Sequence, residues 1–343
     1  MNAIPFPEAF AELERPAGAT AETVRRVFDA ILRGEWTPVQ VAGFAIALRL
    51  RGETPEQIAA AAEALRATMV AVDHDFPLVL DTCGTGGDGQ GTLNLSTGAA
   101  LIAAACGVVV AKHGNRGVSS RAGSADVLEA LGIPLELGAS DAGVLLGEVG
   151  ITFLMAPAHH PAMRHGGVAR RELGVRTIFN CLGPLANPAR ASHQLLGAYD
   201  DALRPILART LARLGSERAW VVRGADGLDE VSPHGVTRVS RLQGGVIDEL
   251  EIHPEDFGLA PSPRGATQGG SADDNARALG AILAGEAHPA RDALLLNAAA
   301  ALVVALDLPP RDARARAQEA LDSGAAAHTL ERWRRAARAR ISA

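Results

Sequence analysis

Asp81-Thr82-Cys83-Gly84-Thr85-Gly86-Gly87-Asp88-Gly89-Gln90-Gly91-Thr92 is the stretch whose reading decides the fold. Leu78-Val79-Leu80 before it reads as a short buried strand, and the small residues from about Ser96 to Cys106, stopped by Gly107, read as a helix. Strand, glycine-rich turn and helix in that order open a βαβ unit. Five glycines in the eight positions 84–91 let the backbone approach a ligand and turn its N–H groups inward, and the helix N-terminus behind favours an anion. A plain tight turn needs far fewer glycines. The Gly-Lys-Ser/Thr ending of a Walker A loop is missing. Gly84-x-Gly86-x-x-Gly89 satisfies the dinucleotide fingerprint, but the next strand end offers Ala111-Lys112-His113, a cation where a ribose-binding acid belongs. The loop therefore reads as phosphate-binding rather than NAD-binding.

Downstream, strands at 108–110, 151–155 and 219–222 alternate with helices at 124–131, capped by Ser124, and 141–148, which predicts a largely parallel sheet. Residues 237–242 and 246–252 form a hairpin around Gly244-Gly245. Two alanine-rich helices, 272–284 and 289–306, and two basic-faced ones end the chain. Upstream, Val24, Val27, Phe28, Ile31 and Leu32 recur at helical spacing, and Thr37-Pro38-Val39-Gln40 and Thr54-Pro55-Glu56-Gln57 repeat one helix-start device. No strand signal precedes Leu78. The expected fold class is α/β: a small all-helical domain plus a larger α/β domain with a mostly parallel central sheet flanked by helices.

The 343 residues are 48% apolar and 21% charged, which suits about two packed domains and excludes a disordered or disulfide-scaffold chain. The longest near-apolar stretches, 99–111 and 294–306, fall short of the roughly 18 residues a membrane span needs, and no secretory signal is visible. Cys83, Cys106 and Cys181 are odd in number and lack metal spacing, so a reduced, cytoplasmic setting is expected. A net charge of −6 speaks against a nucleic-acid or anionic-membrane partner.

Of 33 basic residues only Lys112 is a lysine; chance drift would explain this, as would a site that needs a compact ammonium. Lys112-His113-Gly114-Asn115-Arg116-Gly117-Val118-Ser119-Ser120-Arg121 follows the second strand and reads as a second polyanion cradle at the same sheet edge, although charge runs are usually solvated loops. Asn94-Leu95-Ser96-Thr97 opens the helix after the glycine loop: Ser96 suits an N-cap and equally a hydroxyl aimed at phosphate or metal. Asp229-Glu230 after the strand 219–222 suits a Mg²⁺ that bridges to phosphate, or an exposed loop pair. Residues 159–172 pack three histidines and three arginines without zinc spacing; an arginine here could grip a carboxylate or pair with Glu172.

Taken in order, GTGGDG-x-x-T-x-N-x-ST, AKHGNR-x-VSS, HPAM, RRELG-x-RT-x-FN-x-LGPL-x-NP and GLDE resemble the anthranilate phosphoribosyltransferase family over roughly residues 18–335. The resemblance implies transfer of a phosphoribosyl group from 5-phosphoribosyl diphosphate (PRPP) to anthranilate with Mg²⁺, two ions per subunit, in a cytoplasmic homodimer. It implies a nucleoside phosphorylase/phosphoribosyltransferase-like fold, with a helical domain of residues 1–73 and 166–192 and an α/β domain of 74–165 and 193–343. Gly84, Gly87, Asp88, Thr92, Asn94, Leu95, Ser96 and Thr97 would bind PRPP, together with Lys112, His113, Gly114, Asn115, Arg116, Gly117, Val118, Ser119, Ser120 and Ser124. Anthranilate would meet Gly84, Asn115 and Arg170, Mg²⁺ would meet Ser96, Asp229 and Glu230, and Lys112, Asn115 and Arg170 would act in catalysis. A general base, if one takes part, would be His113. Gly117, Gly166-Gly167 and Cys83 depart from the family pattern. A nucleic-acid binder of the same fold would want a basic face, which the net charge disfavours, and against a pyrimidine nucleoside phosphorylase, of related architecture, the Gly-Asp-Gly loop and the Asp-Glu pair favour PRPP.

Overall fold

Four helices precede the first strand in the computed structural model, which describes residues 4–117 and 121–341: α1 (Phe6–Glu14), α2 (Ala21–Leu32), α3 (Pro38–Arg51) and α4 (Pro55–Ala67). The two repeated starts are capping boxes. Thr37 and Thr54 accept from the Gln40 and Gln57 N–H groups at 3.4 and 3.3 Å, and each glutamine Oε1 accepts from its threonine N–H at 2.9 Å. Val24, Val27, Phe28 and Ile31 of α2 face inward as their spacing requires.

Next come β1 (Leu80–Gly84), α5 (Leu95–Ala105), β2 (Val110–Gly114), α6 (Ser124–Ala130), α7 (Ala139–Val149), β3 (Ile151–Met155) and α8 (Ala156–His159). They are followed by α9 (Arg164–Leu173), α10 (Phe179–Leu185), β4 (His193–Gly197), α11 (Leu203–Arg213), β5 (Arg218–Gly224), β6 (Thr237–Gln243) and β7 (Val246–Ile252). The chain ends with α12 (Ala272–Leu283), α13 (Arg291–Leu306), α14 (Pro310–Asp322) and α15 (Ala325–Ile341). The sheet order is β3-β2-β1-β4-β5-β6-β7, parallel through β5 and antiparallel for the expected hairpin. Chain order reverses between β1 and β4, so this fold has its switch point, where ligands bind at the carboxyl ends of strands, beside the glycine loop.

Strand β4 carries no apolar run, because it opens on His193 and Gln194. Both are buried, and they are satisfied inside: Gln194 Nε2 donates to the Pro184 carbonyl at 2.7 Å and His193 Nδ1 meets Ser192 Oγ at 2.9 Å. Strands β1 and β2 also run further than their apolar residues predict. Lys112 and His113 are therefore strand residues, not members of a loop that follows the strand.

Helices α5 and α13 cover one face of the sheet and pack on each other so closely that a Cβ on Gly98 would fall 2.5 Å from Leu294 Cδ1. On the other face, α11 shares an apolar core with α2–α4, α9 and α10. The basic final helices have a structural use. Arg316, Arg334 and Arg332 donate to the carbonyls of Cys106, Leu131 and Glu148, which close α5, α6 and α7. Among the described residues no single helix is long and apolar enough to cross a membrane.

Asn297 in the middle of α13 is fully buried. It accepts from the Val231 N–H and donates to the Val231 carbonyl, both at 3.0 Å, and so fixes the segment that carries Asp229-Glu230. Asn297→Leu leaves both Val231 groups unpaired, at about 1–3 kcal/mol each. A urea titration is expected to show a loss of about 2–6 kcal/mol.

Candidate active site

The glycine loop leaves β1 and crosses in front of β4. Gly86, Gly87, Gly89 and Gly91 all have φ between 61° and 75°, which a side chain would resist. Thr85 donates its N–H to the Gly197 carbonyl at 2.9 Å, and the Gly86 N–H donates to Asp229 Oδ2 at 3.0 Å. Bare backbone makes this approach possible: a Cβ would lie 2.9 Å from Asp229 Oδ2 at Gly84 and 1.7 Å from the Asp229 carbonyl oxygen at Gly197. Gly197 went unmarked in the sequence because β4 did.

Behind the loop lies a buried polar seam. The Lys112 ammonium donates to the Thr82 carbonyl and, at 3.3 Å, to Ser96 Oγ; the Ser96 N–H at the start of α5 donates to Glu230 Oε1 at 3.2 Å. Lys112 is only 2% exposed. Burial pulls its pKa down, while the carboxylates of Asp81 and Glu230 hold its proton. Asp81, which the sequence did not single out, is fully buried and accepts from the His113 N–H at 3.0 Å and Asn187 Nδ2 at 2.8 Å. Lys112, Ser96, Asp229 and Glu230 are thus brought together on one side of the sheet edge.

Burial and the neighbouring charge of Asp88 push Asp229 upward, and burial and Asp229 do the same to Glu230. Asp88 Oδ2 is buried without a partner. Such crowded acids call for a cation. No three His, Cys, Asp or Glu side chains among the described residues form a metal cage. Two carboxylates and a serine hydroxyl, with waters and phosphate completing the shell, fit Mg²⁺ rather than a metal that needs an all-protein site.

The second cradle differs from its sequence reading in three ways. Arg116 does not stand free: Nη2 pairs with Glu129 Oε1 at 2.7 Å and Nη1 with Asp126 Oδ1 at 3.1 Å, both on α6. Ser124 is the first residue of α6, not its cap; Gly123 precedes it and donates its N–H to Asp126 Oδ2 at 2.8 Å, while Ser124 Oγ donates to the Asn115 carbonyl at 3.4 Å. His113 is buried with Nδ1 against the Leu154 carbonyl at 2.8 Å and its ring 5.2 Å from His160. Burial first, and His160 second, drop its pKa to about 3, which makes it a poor base. Gly114 gives Ser124 room, since a Cβ there would lie 2.3 Å from its Oγ. Asn115 and Gly117 are exposed, and Gly117 donates its N–H to Asp126 Oδ2 at 2.9 Å; Val118, Ser119 and Ser120 lie outside the described residues.

At the start of α5, Asn94 donates to the Ala122 carbonyl at 3.2 Å and accepts from Asn275 at 2.9 Å. Leu95 is fully buried in the core, and the buried Thr97 hydroxyl has no partner. Thr92 makes an isolated bridge to Gln268. Arg170 of α9 is exposed, 5.9 Å from the Phe179 ring centroid and without a carboxylate partner among the described residues. Helix α9 runs unbroken through Gly166-Gly167, and Gly166 admits Phe179, whose Cε1 would lie 3.2 Å from a Cβ. Arg176, noted in the sequence only as part of a motif, donates to the Gly87 carbonyl.

Residues 17–69 match the helical bundle domain of a glycosyl transferase family, and residues 77–327 match its a/b domain. The fold and the site define a glycosyl transferase of this two-unit kind. Anthranilate phosphoribosyltransferase of Myxococcus xanthus is 49% identical over 327 residues, 94% of this chain and 96% of that one. The enzyme of Methylobacterium radiotolerans is 52% identical over 313 residues, 91% and 90% of the two chains. The crystal structure of the Thermus thermophilus enzyme superposes with a TM-score of 0.90 at 43% identity, covering 98% of this chain and 100% of that one. The Saccharomyces cerevisiae enzyme in complex with PRPP and Mg superposes with a TM-score of 0.89 at 29% identity, covering 97% and 98%. The chain belongs to the anthranilate phosphoribosyltransferase family.

His113 at about 3 and His160 at about 4 both lie below the ordinary value of 6.5, because burial penalises the charged ring. The unfolded chain therefore binds protons that the folded chain refuses. The contribution of these two histidines is full above about pH 6.5 and is lost with acidification towards pH 4, by about 1.4 kcal/mol per pH unit for each, while Asp229 and Glu230, pushed upward, contribute with the opposite sign over the same range. Denaturant titrations at pH 7, 6 and 5 are expected to show His113→Gln gaining stability relative to the wild type as the pH falls below about 6.5, by about 1.4 kcal/mol per pH unit.

Proposed function

We propose that this protein transfers the phosphoribosyl group of PRPP to the amine of anthranilate, giving N-(5-phosphoribosyl)anthranilate and diphosphate, the second step of tryptophan biosynthesis from chorismate. The observation that carries this reading is the meeting of the glycine loop, Ser96 and Lys112 with Asp229-Glu230 at the switch point. The loop residues Gly84, Gly87, Asp88 and Thr92, with Asn94 to Thr97 and the segment from Lys112 to Ser120 with Ser124, would enclose PRPP. Asn115 and Arg170, together with Gly84, would receive anthranilate, and the Arg170 guanidinium, without a carboxylate partner among the described residues, suits two parallel hydrogen bonds to the anthranilate carboxylate. Ser96, Asp229 and Glu230 would hold Mg²⁺, two ions per subunit with PRPP bound. When bound, that metal neutralises charge on the diphosphate.

Breaking the bond from ribose C1 to the diphosphate oxygen leaves positive charge on the sugar and negative charge on the leaving group. Lys112 and the inward N–H groups of the loop would stabilise the departing oxygens, and Arg170 would align the amine with C1. The arylamine is neutral at pH 7 and attacks without prior deprotonation. The arylammonium it forms is acidic enough to release its proton to water, so the low basicity of His113 is no obstacle.

The packing of α9 and α10 on α2–α4 supports a helical unit of residues 1–73 and 166–192 set against an α/β unit of 74–165 and 193–343. Three buried free cysteines suit a reducing cytoplasm, and Val39 and Leu50, each 81% exposed on α3, suit a homodimer contact.

Purified protein with anthranilate, PRPP and Mg²⁺ should consume the fluorescence of anthranilate and release diphosphate; no turnover at any Mg²⁺ concentration refutes the reading. Lys112→Met should raise the KM for PRPP by more than tenfold and, by stranding Asp81, lower stability by about 3 kcal/mol. Asp229→Asn should shift the Mg²⁺ concentration for half-maximal rate upward by about tenfold, and Mg²⁺ alone should raise the melting temperature of the wild type more than that of the variant.

A further inference from the structure

Arg176 stands between α9 and α10, and its side chain crosses to the glycine loop. Nη2 donates to the Gly87 carbonyl, the guanidinium carbon lies 3.8 Å from the ring centroid of Tyr199, and Nη1 is buried without a partner. Tyr199 is the only tyrosine in the chain. It follows β4 and donates its N–H to Thr85 Oγ1 at 2.9 Å, so the ring under Arg176 is itself tied to the loop. The Arg176 carbonyl accepts from Arg49 of α3. Around Thr85–Gly87 the loop is thus held from three directions, by Gly197 and Tyr199, by Asp229, and by Arg176, while its far end is tied through Gln90 to Asp226 and through Gly91 to Gln268 and Gly269. Only the third hold comes from the segment that also carries Arg170.

We propose that Arg176 is a positioning residue that seats the PRPP loop through the Gly87 carbonyl, with Tyr199 as its platform, so that the diphosphate cradle is complete only while Arg170 is in place for the acceptor. This rests on the phosphoribosyl-transfer reading. The guanidinium suits the task because its fork reaches a carbonyl while its flat face stays on the ring, which an ammonium could not do together. Arg176 and Arg170 flank one helix end, α9 packs on α2 and α3, and Arg49 of α3 holds the Arg176 carbonyl. Displacement of α9 therefore draws Arg176 off Gly87 and leaves the Gly86–Gly87 turn with Asp229 alone.

The test compares Arg176→Gln, Tyr199→Leu and Arg170→Gln. In substrate-free protein, hydrogen exchange across residues 84–91 should quicken about tenfold in Arg176→Gln, the scale of one charge-assisted hydrogen bond, and by less in Tyr199→Leu, while β4 keeps the wild-type rate. In turnover, both variants should raise the KM for PRPP with little change in the KM for anthranilate, and Arg170→Gln should do the reverse with unchanged loop exchange. Wild-type exchange in both Arg176→Gln and Tyr199→Leu, or equal effects on the two KM values, overturns the proposal. The exchange measurement needs no turnover, so a wild type that makes no product would refute the transfer reading while the latch was judged on its own. Should Arg176→Gln fail to fold, Tyr199→Leu still decides.

Discussion

A single ammonium buried behind the glycine loop governs the site. Taking Lys112 out of water costs several kcal/mol, and only opposite charge and hydrogen-bond acceptors at short range offset that. The Thr82 carbonyl, Ser96 Oγ and the carboxylates of Asp81 and Glu230 supply them. They lie on three different elements: β1, α5 and the turn after β5. The same contacts that keep Lys112 charged therefore fix the relative positions of these elements. In a chain whose other fixed cations are all arginines, this place takes the lysine because a compact point charge fits between two acceptors where a planar fork would not.

The acids around the lysine are balanced in one direction only. Asp229 and Glu230 are crowded together and face Asp88 across Gly86, so the edge gathers more acids than Lys112 alone can hold in the charged form, and they are pushed towards their neutral forms. That imbalance invites a divalent cation and, through it, a polyanion. The switch point puts loops from β1, β4 and β5 side by side, and the bare backbones of Gly84 and Gly197 let Asp229 come close enough to join them.

Periodicity and punctuation carried most of the fold in legible form. Capping boxes at Thr37 and Thr54, the hairpin at Gly244-Gly245 and the alternation of strands and helices all follow local rules that the folded chain obeys. What stayed hidden was set by partners distant in sequence. Strand β4 reads as polar because its His193 and Gln194 find their hydrogen bonds in the fold. The ends of β1 and β2 were obscured for the same reason, with Asp81, Thr82, Lys112 and His113 buried in pairs. Arg116 looked available because nothing nearby in sequence reveals that α6 presents Asp126 and Glu129 to it. The glycine loop, Lys112 and Asp229-Glu230 were legible because unusual composition marked them; Arg176 and Gly197 were not, since their importance lies in what they touch.

One strand then sorts the chemistry. Successive residues of β2 project to opposite faces, so Lys112 turns towards Ser96 and the acids while His113 turns towards Leu154 and His160. The first environment preserves a charge and the second forbids one, though the two residues are adjacent. An imidazole held neutral so far below physiological pH cannot drive proton transfer, and a reaction whose nucleophile is already neutral has no need that it should. The work left to the protein is charge placement around a leaving group and alignment of two substrates. A fold that spends its buried polar groups on fixing Lys112, Asp229 and Glu230, rather than on tuning a base, is matched to that division of labour.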